Sequence, residues 1–380
     1  MTDINLVLTA PVKQRFRCQL HPDQIGVLLA PSGAGKTSLF QAIGGLSSAE
    51  GWIKVGDGHI DQIKLRPHQR QIAYVTQAPL LFSHLTINKL IALVAAQQRY
   101  PADIHWAIAP LKLQDKLECY AHHLSGGQKQ RVALLLAMIK GAPLLLLDEA
   151  LTGQDQATKQ ACIGVIKEHL MRHQGSALIA CHQIEDAIAL GDVALLQCDD
   201  NQEKYWQSIP IAQGIHQYQQ QLIETNSCKE PSQSLVNANE FLSVLHATPL
   251  SHHRSLGLTE YRVAGQTCFT ALAPTLACEQ AVSLVLKANR VGLSRTLQPE
   301  TSFVNQWQVI ILGQRSVGWD GEQGILLDVA LVDTCGETKN DNADRLSVWI
   351  TRLSYNQLQP NIEEYWYLIG KADALSVNAN

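Results

Sequence analysis

The 380-residue sequence predicts an α/β unit followed by an all-β unit. Two observations carry this. From Met1 to about Asp199, apolar strand-like runs alternate with helical segments, the pattern of a parallel sheet with covering helices. After Ser234 the texture changes to short runs of mixed apolar and polar residues: TCFTAL, AVSLVLKA, QWQVIIL, GILLDVALV and RLSVWI. Turn residues such as Gly313, Gly318 and Gly321 separate them, which predicts a closed, OB-like Greek-key barrel. Between the two lies a polar, glutamine-rich stretch from Asn201 to Gln233 that reads as a short helix plus linker. The expected boundaries are therefore 1–205 for the first domain, 206–234 for the linker and 235–380 for the second domain.

Composition narrows the classes. The formal charge of −4 provides no strong field for nucleic acid. No signal-peptide pattern precedes the first strand. The leucine-rich stretch from Val132 to Leu147 is broken by Lys140, Gly141 and Pro143, so it does not read as a membrane span. Nine cysteines with no CxxC pair argue against a disulfide framework and for a reducing compartment. The pairs His122-His123 and His252-His253 lack metal-ligand spacing and read as surface residues.

Within the first unit, IGVLLA is a continuous apolar run of the kind a buried strand needs. It leads into Ala30-Pro31-Ser32-Gly33-Ala34-Gly35-Lys36-Thr37-Ser38, a near match to the phosphate-binding pattern G-x-x-x-x-G-K-[ST]. Gly33 and Gly35 let the backbone wrap phosphates, Lys36 reaches them, Thr37 supplies a hydroxyl to Mg²⁺, and the N-terminus of a helix over Thr37–Ile43 faces the anion. The departure is Ala30 in place of the first glycine. Its methyl is harmless at negative φ and costs on the order of 1 kcal/mol at positive φ. A second apolar run, LLLLDEA, closes on Asp148 and Glu149, which suits a strand tip meeting Mg²⁺ and an attacking water and equally suits an acidic turn. Between the two runs, Ser125 reads as an N-cap with Gln128 completing a capping box before a long helix.

Leu124-Ser125-Gly126-Gly127-Gln128 resembles the signature motif of ATP-binding cassette (ABC) ATPases, and the family's other markers follow in the family's order. The resemblance covers about residues 1–205 and implies a P-loop NTPase with a RecA-like core, its helical subdomain falling in Ile87–Glu118. It implies ATP and Mg²⁺ as cofactors. Thr37, Asp148 and Gln77 would surround the metal, Glu149 would be the general base, and His182 would hold the γ-phosphate. Ser125 and Gly127 would bind ATP held by a second copy of the chain, with Asp155 as the retained D-loop aspartate. Two positions depart from the family, Ala150 for the proline after the acidic pair and Gln154 for the D-loop leucine. Phe16 is the nearest candidate to stack on adenine, though it equally suits a core position.

The second unit resembles the regulatory domain of import ATPases. LKANRV followed by TSFVN is similar to the molybdate-binding (Mop-type) pattern. That implies an oxyanion site from Lys287, Ala288, Thr301, Ser302 and Asn305, and a molybdate or tungstate ligand; two ordinary strands with a turn fit the same residues. The layout as a whole implies the ATPase subunit of a molybdate importer at the cytoplasmic face of the inner membrane. Its partners would be an integral permease and, indirectly, a solute-binding protein. Importers of sulfate, ferric iron, polyamines or sugars are the competing reading, followed by a non-transport cassette ATPase.

Overall fold

The computed structural model describes residues 1–56, 60–98, 101–181, 183–200, 203–227, 241–271, 282–299, 301–319, 322–332 and 345–378. The chain divides into two compact units, Met1–His182 with Leu190–Ile211, and Gln183–Ala189 with Ala212–Asn380.

The first unit is built on one sheet. Its strands are β1 (Thr2–Leu8), β2 (Gln14–Leu20), β3 (Ile25–Leu29), β4 (Glu50–Lys54), β5 (Ile72–Val75), β6 (Leu144–Asp148), β7 (Ser176–Ala180), β8 (Val193–Asp200) and β9 (Glu203–Pro210). They form nine strands in the order β4-β1-β2-β9-β8-β3-β7-β6-β5. Strands β3, β5, β6, β7 and β8 run parallel to their neighbours in that part of the sheet. Every residue of β3, β6 and β7 is buried, as parallel strands covered on both faces require. The expected parallel sheet is corrected on its other side. There β1 pairs antiparallel with β2 and β4, and β9 pairs antiparallel with β8. In β2 burial alternates with a period of two, so only one face is covered.

Helices α1 (Lys36–Gly44), α2 (Ile87–Ala96), α3 (His105–Ile108), α4 (Gly126–Ile139) and α5 (Gln156–His173) belong to this unit. Helix α1 ends where expected, at Gly45 with φ 85°, whose N–H closes onto the Ala42 carbonyl. Helices α2 and α3 fall in the segment expected to be helical. The boundary expected at 205 lies inside β9, because the β8–β9 ladder runs from Val193↔Pro210 to Asp200↔Glu203. The expected linker is strand as far as Pro210 and then helix α7 (Ile211–Ser227); residues 228–234 are outside the described residues. Helix α6 is Ile184–Leu190. Among the described residues no helix is long and apolar enough to cross a membrane.

The sheets of the second unit are antiparallel throughout, with the short helix α8 (Arg352–Leu358) following the strand Arg345–Thr351, while α6 and α7 fall mostly within this unit. One sheet joins β10 (Leu242–His253), β11 (Leu258–Val263), β12 (Gln266–Ala271), β13 (Val282–Lys287) and β19 (Leu375–Asn378) in the order β12-β11-β10-β13-β19. The other joins β14 (Val291–Ser294), β15 (Asn305–Trp319), β16 (Glu322–Leu331), β17 (Arg345–Thr351) and β18 (Tyr365–Gly370) in the order β14-β18-β15-β16-β17. Between them is an apolar core that includes Tyr261, Trp307, Trp366, Leu284 and Val348.

Side chains sew the sheets together. The Gln266 amide donates to the Gln308 and Val332 carbonyls at 3.1 and 2.6 Å. Asn305 Oδ1 accepts from Phe269 N at 2.7 Å, and the Ser243 hydroxyl accepts from Ser347 N at 2.9 Å. The result is barrel-like, as the alternating runs indicated. Gly313 and Gly318 are corrected from turns to positions inside β15, which changes register between Ile311 and Gly313. A glycine within a strand marks such a bulge as readily as a turn. Gly321 is outside the described residues.

Candidate functional site

Strand β3 delivers the chain into the phosphate loop. Ala30 is buried and its backbone stays out of the left-handed region, so its methyl group carries no strain. Ala30→Gly is therefore expected to destabilise the fold by about 0.4–1 kcal/mol through added freedom of the unfolded chain, leaving ATP affinity within a few-fold. Denaturant unfolding and a binding titration check both; a tenfold gain in affinity would mean that the alanine strains the loop.

Gly33 and Gly35 have φ of 79° and 92°, which side chains rarely adopt. At Gly35 a Cβ would also come within 3.0 Å of the Gln14 amide nitrogen. The Lys36 side chain is folded back, its ammonium donating to the Ala30 and Pro31 carbonyls at 2.6 and 3.2 Å. Burial lowers its pKa, opposed by the nearby charges of Glu149 and Asp148 and by Cys181. Loop residues Ser32 to Ser38, with Pro11, Val12 and Glu149, line a pocket of about 410 Å³. Thr37 is exposed at the start of α1.

The acidic pair at the end of β6 splits into two environments. Asp148 is 1% exposed and accepts from the Tyr74 hydroxyl at 3.2 Å. Burial, and then the Asp148 charge, push the Tyr74 pKa well up, so it stays a donor. Glu149 takes a left-handed backbone, φ 53°, which a non-glycine residue adopts at a cost. Its N–H donates to the Ala180 carbonyl at the end of β7. Its carboxylate accepts from Gln77 Nε2 at 2.6 Å. From α4, buried Gln130 donates to the Gln77 carbonyl at 3.1 Å and to that of Glu149 at 3.4 Å, while its own Oε1 has no partner among the described residues. Tyr74 and Gln130 were not among the expected site residues. The available signal was a polar residue in an otherwise buried position.

Ser125 and Gln128 form the expected capping box. Ser125 Oγ accepts from Gln128 N at 3.3 Å, and Gln128 Oε1 accepts from Ser125 N at 2.9 Å. Leu124 is buried beneath them. Ser125, Gly126 and Gly127 share with Gln77, Gly153 and Asp155 a depression of about 870 Å³, whose lining includes none of the phosphate-loop residues. Asp155 caps α5, accepting from the Thr158 N–H and hydroxyl at 2.9 and 2.7 Å, which holds its carboxyl below the usual range. Gln154 is tied inward: its Nε2 donates to the Ala150 carbonyl at 3.4 Å, and its Oε1 accepts from Cys162 Sγ at 3.3 Å.

Some expectations fall elsewhere. Phe16 is fully buried, edge-on to Trp206 at 6.0 Å between ring centroids, so it is core and not an adenine platform. His182 is outside the described residues. In the second unit, Asn305 is fully buried, and its amide is spent on backbone: Oδ1 on Phe269 N, Nδ2 on the Phe269 and Lys371 carbonyls at 2.9 and 3.1 Å. Ala288 is buried beside Phe241, with its N–H on the Phe241 carbonyl. Ser302 is exposed, whereas Lys287 and Thr301 are half-buried.

Residues 14–152 match the ABC transporter family. The chain is 31% identical over 195 residues to the thiamine import ATP-binding protein ThiQ of Photorhabdus laumondii, covering 49% of this chain and 81% of that protein. It is 30% identical over 208 residues to the protein of the same name from Escherichia coli K12, covering 52% and 87%. A solved structure of an ATP-binding subunit of an ABC transporter is 21% identical, with a TM-score of 0.46, covering 51% of this chain and 85% of the other.

Proposed function

The chain belongs to the family of ABC transporter ATP-binding proteins, and from that premise we propose that it is the ATP-hydrolysing subunit of an importer. The observation that carries the proposal is the meeting of three groups at the phosphate loop: a buried lysine on glycine-shaped backbone, a buried aspartate, and a glutamate held by Gln77. The donor set fits its ligands. Open space beyond Gly33 leaves room for phosphate oxygens, and the hydroxyl and carboxylate oxygens of Thr37 and Asp148 suit Mg²⁺.

In this reading Lys36 and the loop N–H groups bind the β- and γ-phosphates. Thr37 and Asp148, with Gln77, would hold Mg²⁺, which would supply positive charge to offset that of the phosphates. A Glu149 carboxylate oxygen takes the proton of the attacking water, and the Gln77 amide orients that carboxylate. The family resemblance gives His182 the role of holding the γ-phosphate. Ser125, Gly126 and Gly127 of the signature, with Asp155, line a different depression from the phosphate loop of the same chain, which supports a complete site shared between two copies related by a two-fold axis.

An integral permease is the proposed membrane partner, supplied by a solute-binding protein, with this chain peripheral at the cytoplasmic face. Leu80 and Phe82, 99% and 58% exposed just after Gln77, support a docking surface there.

Molybdate, or a related oxyanion, is the solute that the sequence motifs favour, with Lys287, Thr301 and Ser302 as the remaining side-chain donors. Thiamine is the solute named for the relatives. Calorimetry on the full chain tests both levels. Mg·ATP is expected to give saturable heat, and without it the ATPase reading fails. Molybdate or tungstate is expected to bind; no heat with either, or with sulfate, at millimolar concentration would discard the oxyanion reading and leave an importer of another solute.

A further inference from the structure

Peptides that point their N–H groups at a phosphate turn their carbonyls the other way. In this chain those carbonyls face the protein interior, where an unmet acceptor is costly. Two buried side-chain amides meet them. Gln197 Nε2 donates to the Ala34 carbonyl at 3.0 Å, and Gln14 Nε2 donates at 3.3 Å to the Gly35 carbonyl, which also accepts from Leu39 N in α1 at 2.9 Å. Gln14 Oε1 is fixed in turn by Trp206 Nε1 at 2.9 Å and by Gln197 Nε2 at 3.3 Å. Gln14 is 0% exposed, Trp206 4% and Gln197 8%.

Nothing in strand patterning calls for this polarity. Gln14 occupies the inward register of β2 together with Phe16, Cys18 and Leu20, where an apolar residue satisfies the alternation. Gln197 and Trp206 are direct cross-strand partners on β8 and β9. A glutamine buried among apolar neighbours persists when its hydrogen bonds are satisfied, and a satisfied network rigidifies what it touches. What this one touches is the back of the phosphate loop.

We infer that Gln14, Gln197 and Trp206 are positioning residues for nucleotide binding, holding the carbonyl side of residues 34 and 35 so that the N–H side stays aimed at phosphate. The inference rests on the reading of this loop as the ATP site.

The test uses Gln14→Met, which keeps the volume and removes the amide, and Trp206→Phe, which keeps the ring against Phe16 and removes only the N–H. In the full chain, KM and Kd for ATP should rise about five- to tenfold for Gln14→Met, the loss of about one hydrogen bond, and less for Trp206→Phe. The value of kcat at saturating ATP should stay within about twofold, because uniform binding is what is lost. Adding Trp206→Phe to Gln14→Met should add nothing further, because the acceptor of the indole is already gone. A folded Gln14→Met protein with lowered melting temperature and unchanged KM would overturn the inference, reducing the network to core packing. Full additivity of the two changes would also overturn it. If Gln14→Met does not fold, an unchanged KM in Trp206→Phe is decisive. A parent protein that binds no ATP would fail the underlying function, a result distinct from either.

Discussion

Glu149→Gln should lower kcat for ATP hydrolysis by about 10²–10⁴-fold while ATP still binds. The substitution keeps size and shape and removes the carboxylate that lines the phosphate-loop pocket just after β6. Backbone geometry is preserved, since the left-handed conformation at 149 and the N–H bond to the Ala180 carbonyl do not depend on the carboxylate. A glutamine there can still accept from Gln77 through its own amide oxygen. With binding intact and turnover stopped, the ATP-bound dimer should accumulate, visible as a shift to twice the mass in gel filtration with Mg·ATP. Near-normal turnover in this variant would remove Glu149 from the role of base.

Lys36→Met should remove most nucleotide affinity, by a hundredfold or more, because bonds from a charged donor to phosphate contribute about 1.5–3 kcal/mol each. The variant also exposes a second effect. The ammonium also donates to the Ala30 and Pro31 carbonyls, and a thioether cannot. The free loop should therefore lose stability by about 1–3 kcal/mol. A thermal melt separates the two effects: a lowered melting temperature without ligand, and no upward shift when ATP is added. An ATP-induced shift as large as that of the parent would show that Lys36 does not contact the nucleotide.

Much of the first unit was legible because its signals are local. Buried strands are apolar throughout, the loop glycines mark positive φ, and Ser125 with Gln128 announces a cap. The antiparallel flank was less legible, because β9 pairs with β8 through a connection whose polar residues read as linker. The support of the site was not legible either. Tyr74, Gln130, Gln14 and Gln197 act through tertiary placement, and a single glutamine in a strand carries no period to mark its partner. Phe16 illustrates the converse, since its distance along the chain from Lys36 said nothing of the side chain's turn toward Trp206. In the second unit the alternating runs revealed strands, but a Thr/Ser turn followed by asparagine fits an anion site and a structural clasp equally well. For Asn305, burial chose the clasp.

That clasp bears on how the second unit behaves in a crowded solution. Asn305 gives Phe269 both an acceptor for its N–H and a donor for its carbonyl, the pair of bonds that a neighbouring strand would offer. Gln266 does the same for Gln308, accepting from its N–H and donating to its carbonyl. Outer strands with unmet backbone groups are templates onto which another chain can add. Here two carboxamide side chains meet the N–H and carbonyl of Phe269 on β12 and of Gln308 on β15 as a strand would, so those groups are not open to a foreign segment, and edge-to-edge addition is disfavoured at these two residues.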